Sequence, residues 1–149
     1  MAPVVGVALA LVGCRVVEPA PVARPDGTGS ITVHVRGFGS RDGQLLINLF
    51  LARAGFPEDP EAAFVARAVS IDADTVVVRF EDVPAGEFAI AAFHDEDGDR
   101  VLDTGALGAP SERWGVSGGS RGFLGPPAYD DARLVLRPGL DIEVEVELQ

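Results

Sequence analysis

Residues 141–148 read Asp-Ile-Glu-Val-Glu-Val-Glu-Leu, an acid and an aliphatic in strict alternation. On a helix, with its period of 3.6, this pattern would scatter Ile142, Val144, Val146 and Leu148 around the whole circumference. On a strand all four fall on one face, with Glu143, Glu145 and Glu147 on the other. The same period recurs along the chain. Ile31, Val33 and Val35 alternate with Thr32, His34 and Arg36, and Val76, Val78 and Phe80 with Thr75, Val77 and Arg79. Leu45, Ile47 and Leu49 share one face of a stretch whose other face holds Leu46, Asn48 and Phe50, so that strand is apolar on nearly both sides. Phe88, Ile90 and Ala92 follow a Pro84-Ala85-Gly86 turn, Leu134 and Leu136 lead into Pro138-Gly139, and 65–71 is the seventh candidate. No 3.6 period is sustained. The expected fold is all-β: a single seven-stranded antiparallel β-sandwich over residues 30–149, immunoglobulin- or transthyretin-like, with one long irregular loop.

Composition narrows the chemistry. The 149 residues suffice for one domain, and a hydrophobic share of 47% suffices for a core. A net charge of −11 repels nucleic acid and favours divalent cations. All 12 basic residues are arginine, which excludes lysine Schiff bases, P-loop chemistry and lysine crosslinks. One cysteine permits no internal disulfide, and two histidines 60 positions apart do not suggest structural zinc.

Residues 2–12 form an apolar run too short to span a bilayer, which takes about 20 residues, but long enough for a signal-peptide core. It ends in Leu11-Val12-Gly13-Cys14, similar to a bacterial lipobox, although no basic residue precedes the run. The expectation is a lipoprotein signal over 1–13, lipidation of Cys14 and a Pro/Gly-rich tether over 14–29, reaching roughly 45 Å if extended. The location implied is the bacterial cell envelope: lipid-anchored, with the outer membrane as the default.

Residues 95–132 lack convincing alternation, and so long an excursion in a compact domain is usually functional. It opens with Asp95, Asp97, Asp99 and Asp103 at positions 1, 3, 5 and 9 of a calcium loop, with the Val101 carbonyl at position 7. Arg100 stands where an EF-hand has glycine and Ala106 where it has a bidentate glutamate, so this is not an EF-hand. Glu112, Asp130, Asp131 or His94 could complete a shell. The competing interpretation is a solvated acidic hairpin tip. His94 is a candidate ligand, general base or structural hydrogen-bonder. Gly115-Val116-Ser117-Gly118-Gly119 matches G-x-S-x-G, but no helix can start in the glycines that follow, so they are assigned to turns. Trp114, Phe123 and Tyr129 either pin the loop to the sandwich or form a ligand platform for a glycan.

Phe93-His94-Asp95-Glu96-Asp97-Gly98-Asp99 with Leu102-Asp103, then Gly108-Ala109-Pro110, Glu112, Gly115, Ser117, Gly125-Pro126-Pro127 and Asp131-Ala132, resemble the bacterial family DUF2141. Gly43 with the strand to Phe50 and Gly55-Phe56-Pro57 resemble its first half, so the resemblance spans residues 31–148. Asp97 and Asp99 replace the asparagines usual in the family, and Tyr129 is one place later than its usual aromatic. The family has no settled activity, so the resemblance implies an exported β-rich module and no catalytic role. The Pro-Ala-Gly turn and acidic loop are also similar to transthyretin-like and collagen-adhesin modules. Three functions follow as expectations: a non-enzymatic envelope lipoprotein with calcium in the loop and an envelope protein or glycan as partner, a hydrolase pairing His94 with Asp95 or Glu112, and a ligand-free assembly subunit.

Overall fold

The computed structural model describes residues 27–122 and 125–149. The expected signal, Cys14 and most of the tether lie outside these residues, as does Phe123.

Among the described residues, eight strands form two sheets. In chain order they are β1 (Thr28–Arg36), β2 (Gln44–Phe50), β3 (Val65–Ser70), β4 (Thr75–Pro84), β5 (Gly86–Asp95), β6 (Trp114–Val116), β7 (Leu134–Leu136) and β8 (Asp141–Glu147). The smaller sheet has the order β4-β1-β8. The larger has β3-β2-β5-β6, with β7 also paired to β5. All-β is therefore right, and each of the seven expected strands is present.

Two expectations need correction. The count is eight, because β6 forms inside the stretch read as irregular; three residues are too few to display a period. That stretch also holds a short helix, α1 (Tyr129–Ala132). The sheets are also not wholly antiparallel, since β8 runs parallel to β1 from Ser30↔Asp141 to Arg36↔Glu147. The cause is the turn at Pro138-Gly139, which carries the chain from β7 in the larger sheet across to the smaller one. Gly139 N donates to Thr28 O at 2.7 Å and Ser30 N to Leu140 O at 3.0 Å, so β8 enters beside the start of β1 and must follow its direction. Gly29 allows this approach: a Cβ there would lie 2.5 Å from Leu140 O.

The alternating aliphatics meet between the sheets. Ile31, Val33, Val35, Val78, Phe80 and Val146 from the smaller sheet pack on Leu45, Ile47, Leu49, Phe88 and Ile90 from the larger. A second cluster lies on the outer face of the larger sheet, where Phe50, Ala89, Ala91 and Val116 are covered by Tyr129 and Ala132 of α1. This explains why β2 is apolar on both faces: the segment after β6 folds back over it. Along one side the sheets are stitched together, with Gln149 N donating to Trp114 O at 3.0 Å.

Candidate functional site

The alternation that builds the core also sorts the chemistry at the end of β5. His94 and Asp95 are neighbours on a strand and point to opposite faces. His94 goes inward and is fully buried, with its ring edge-on to Phe38 at 5.6 Å. Its Nε2 lies 2.7 Å from the Asp42 carbonyl oxygen. A carbonyl only accepts, so Nε2 carries the proton. Nδ1 has no hydrogen bond and lies 3.7 Å from Glu96 Oε1. The expected acid–base pairing of His94 with Asp95 or Glu112 is thus not formed: both carboxylates hold backbone amides of the loop instead.

Asp95 goes outward and is equally buried, at 0% exposure. Its Oδ2 accepts Gln44 Nε2 at 2.7 Å from the adjacent strand and Arg100 N at 3.1 Å; its Oδ1 accepts Gly98 N at 2.9 Å. Glu112, at 7% exposure, accepts Glu96 N at 2.8 Å and Asp103 N at 3.1 Å, and so clamps both ends of the loop. Asp97 and Asp99 each accept the amide two residues on, at 3.1 and 2.7 Å, the second from Val101. These bonds coil the chain so that its carboxylates converge. Arg100 takes φ +67, the left-handed conformation a glycine would supply at the sixth position of the loop. Gly43 lets β2 approach, since a Cβ there would stand 2.0 Å from Asp95 O.

The result is two overlapping triads. One oxygen each from Asp95, Asp97 and Asp99 lie within 4.8 Å of one another, and the same holds for Asp97, Asp103 and Glu112. Asp97 is common to both. Local desolvation, followed by repulsion from Asp97, Asp99 and Asp95, raises the Asp103 carboxyl above the usual carboxylate range. Among the described residues no cationic side chain forms an ion pair with Asp95, Asp97, Asp99, Asp103 or Glu112. Five hard oxygen donors with no organic counter-charge suit a hard divalent cation better than a soft one.

Other expected site residues fall elsewhere. Asp131 belongs to neither triad; it lies in α1 over the second apolar cluster. Tyr129 is buried, edge-on to Phe56 at 5.6 Å, and desolvation raises its phenol pKa. Trp114 is half-buried against the same cluster. Tyr129 therefore pins the segment to the larger sheet, with its side chain buried in the second cluster. Ser117 is buried: its Oγ accepts Ile90 N at 2.9 Å and donates to Ala132 O at 2.7 Å, which leaves no hydroxyl to attack anything. Two shallow depressions, of about 350 and 320 Å³, are lined by neither triad. Sequence reading missed Gln44, whose only signal was its place opposite Asp95 in the strand pattern, and placed Glu112 only as an optional ligand.

The acidic loop and the start of the described chain sit at opposite poles. Ala85 N donates to Gly27 O at 2.7 Å, at the Pro84 end of the β1–β4 pair, whereas the far end of β1 adjoins Leu148 and the end of β8.

A family model described as an uncharacterized protein conserved in bacteria matches residues 33–142. No curated protein and no solved structure matches the chain.

Proposed function

The chain belongs to the family of that model, DUF2141, and from this premise we propose that it is a non-enzymatic module of the bacterial envelope whose loop 95–103, with Glu112, holds a calcium ion. The observation that carries the proposal is the double use of Asp97. Each triad brings three carboxylates within 4.8 Å of one another and Asp97 belongs to both, and the mutual repulsion within a triad falls when a dication sits among its members. The Val101 carbonyl is the expected backbone ligand. We read the two-sheet body as an elaborated immunoglobulin/transthyretin-like sandwich. Lipidation of Cys14 would anchor it, and a tether leaving from the pole opposite the loop would point the loop away from that membrane, toward an envelope protein or glycan.

Thermal melts of the purified chain against calcium test the site. Calcium at a hundredfold excess over its dissociation constant should stabilise the fold by about 2.7 kcal/mol. Asp97→Ala should abolish the rise, because it removes a ligand from both triads. An unchanged melting temperature at millimolar calcium would dispose of the metal and leave the ligand-free assembly reading. Fractionation of cells carrying Cys14→Ser tests the anchor separately: loss from the membrane fraction is expected, and retention there contradicts it.

A further inference from the structure

We propose that the hairpin over residues 104–110 is a docking prong whose tip, Leu107, enters a leucine-sized apolar pocket with a basic rim on another envelope protein. This gives a chemistry to the partner of the acidic pole. It rests on the reading above only in placing that partner in the envelope, and it needs no cation.

Residues 104–111 read Thr-Gly-Ala-Leu-Gly-Ala-Pro-Ser; none is charged and all are exposed. The feet of the hairpin are Asp103 and Glu112. Ser111 N donates to Asp103 O at 2.8 Å, and Asp103 N to the buried Glu112 carboxylate at 3.1 Å. Above the feet Thr104 bridges to Pro110, Gly105 N donates to Ala109 O at 2.7 Å and Gly108 N to Gly105 O at 3.1 Å. The prong is thus closed along its length and fixed at its base, so little ordering entropy remains to be lost on binding.

An exposed leucine is ordinary on a protein surface. Two features set Leu107 apart. The other exposed large hydrophobics among the described residues lie between 46% and 62% exposure, whereas Leu107 stands at 105%, with no intramolecular cover. Its backbone has φ +80 and ψ 8, the left-handed region that favours glycine. Asparagine would suit both that backbone and the water around it. Leucine opposes folding through its backbone and gains nothing through its side chain. Strain of this kind clusters where a protein binds something else.

The surroundings select the partner. One leucine buries far less apolar area than a single acyl chain, which itself holds a protein to a bilayer only marginally, so a lipid surface would not retain the prong. A glycan presents hydroxyls, and Ala106, Leu107 and Gly108 have neither an aromatic face nor a side-chain donor to meet them. A protein pocket can enclose the isobutyl group completely, and the small residues beside it leave clearance. Thr104 to Leu107 spans about 10 Å of chain at most, so the rim of such a pocket meets the carboxylates at the foot, Asp103 and, within 4.8 Å of it, Asp97. In a chain of net charge −11, an arginine or lysine rim is their complement.

The test places a photo-crosslinking amino acid at Ala106 of the full chain in bacterial cells that make it, and at the exposed Val77, on the smaller sheet, as a control. A protein adduct specific to Ala106 is expected. With that protein purified, Leu107→Asn should weaken its affinity by about ten- to a hundredfold, the worth of enclosing one leucine, and added salt should weaken the wild-type complex. Leu107→Asn should melt at or above the wild-type temperature, because the leucine supports nothing within the fold. Adducts with lipid alone, with a second copy of this chain alone, or none beyond the Val77 control would overturn the proposal. So would a partner that binds Leu107→Asn as tightly or ignores salt, or a variant that melts several degrees lower. The calcium melts read the cation alone, so that reading and this one can fail separately.

Discussion

Replacing Ser117 by alanine isolates one joint of the fold. Along one edge of β5, β6 covers Ala91 to Phe93 and β7 covers Gly86 to Phe88. Ile90 falls in the gap between them, and the Ser117 hydroxyl fills it by accepting Ile90 N at 2.9 Å while donating to Ala132 O at 2.7 Å. All three residues are buried. Alanine keeps the backbone and removes only the oxygen, so a backbone donor and a backbone acceptor lose their partner together. Each unsatisfied buried group costs about 1–3 kcal/mol. Allowing for partial relaxation, the loss should be roughly 2–4 kcal/mol, which for a domain of this size lowers Tm by on the order of 10 °C. Urea denaturation monitored by Trp114 fluorescence measures it, with Ser120→Ala as a control held within about 0.5 kcal/mol. A loss below about 1 kcal/mol for Ser117→Ala would mean that water or a shifted backbone replaces the hydroxyl, and the argument for a sealed joint would be wrong.

The remaining predictions concern the acidic pole. Gly43→Ala should destabilise by more than about 2 kcal/mol, because its φ of +72 and the 2.0 Å approach to Asp95 O both oppose a side chain; a near-neutral result in denaturant melts would show that β2 and β5 can separate there freely. Asp103 has a raised folded pKa, so the native state binds its proton more tightly than the unfolded chain does, and this group's contribution to stability falls as pH rises from the ordinary carboxylate value of 3.8 through the raised one. Asp103→Asn should therefore stabilise the calcium-free chain at neutral pH and lose that advantage at pH below the unfolded carboxylate range; a pH series of urea melts with an advantage constant across that range would contradict the repulsion described above.

The parts of this protein legible in its sequence are those fixed by local geometry. Strands have a period of two, so the aliphatics of β1, β2, β4, β5 and β8 announced both the elements and their inward faces. Spacing alone marked Asp95, Asp97, Asp99 and Asp103 as one group, because alternate residues of a tight turn can converge. The same alternation, taken one step further, separates His94 from Asp95, and the expected pairing of those two failed on that point.

What only the tertiary structure decided is direction, partnership and enclosure. Alternation is blind to strand direction, so the parallel β1–β8 pairing emerged only when the Pro138-Gly139 turn was seen to cross between sheets. Glu112 lies far along the chain from Asp95, and nothing local indicates that it closes the loop by binding Glu96 N and Asp103 N. Tyr129 stood in the sequence as a candidate ligand platform and Ser117 as part of a glycine-rich turn, yet both are consumed in sealing the outer face of the larger sheet. Local pattern fixes which way a side chain points along its own element. Which group meets it there depends on packing between distant segments.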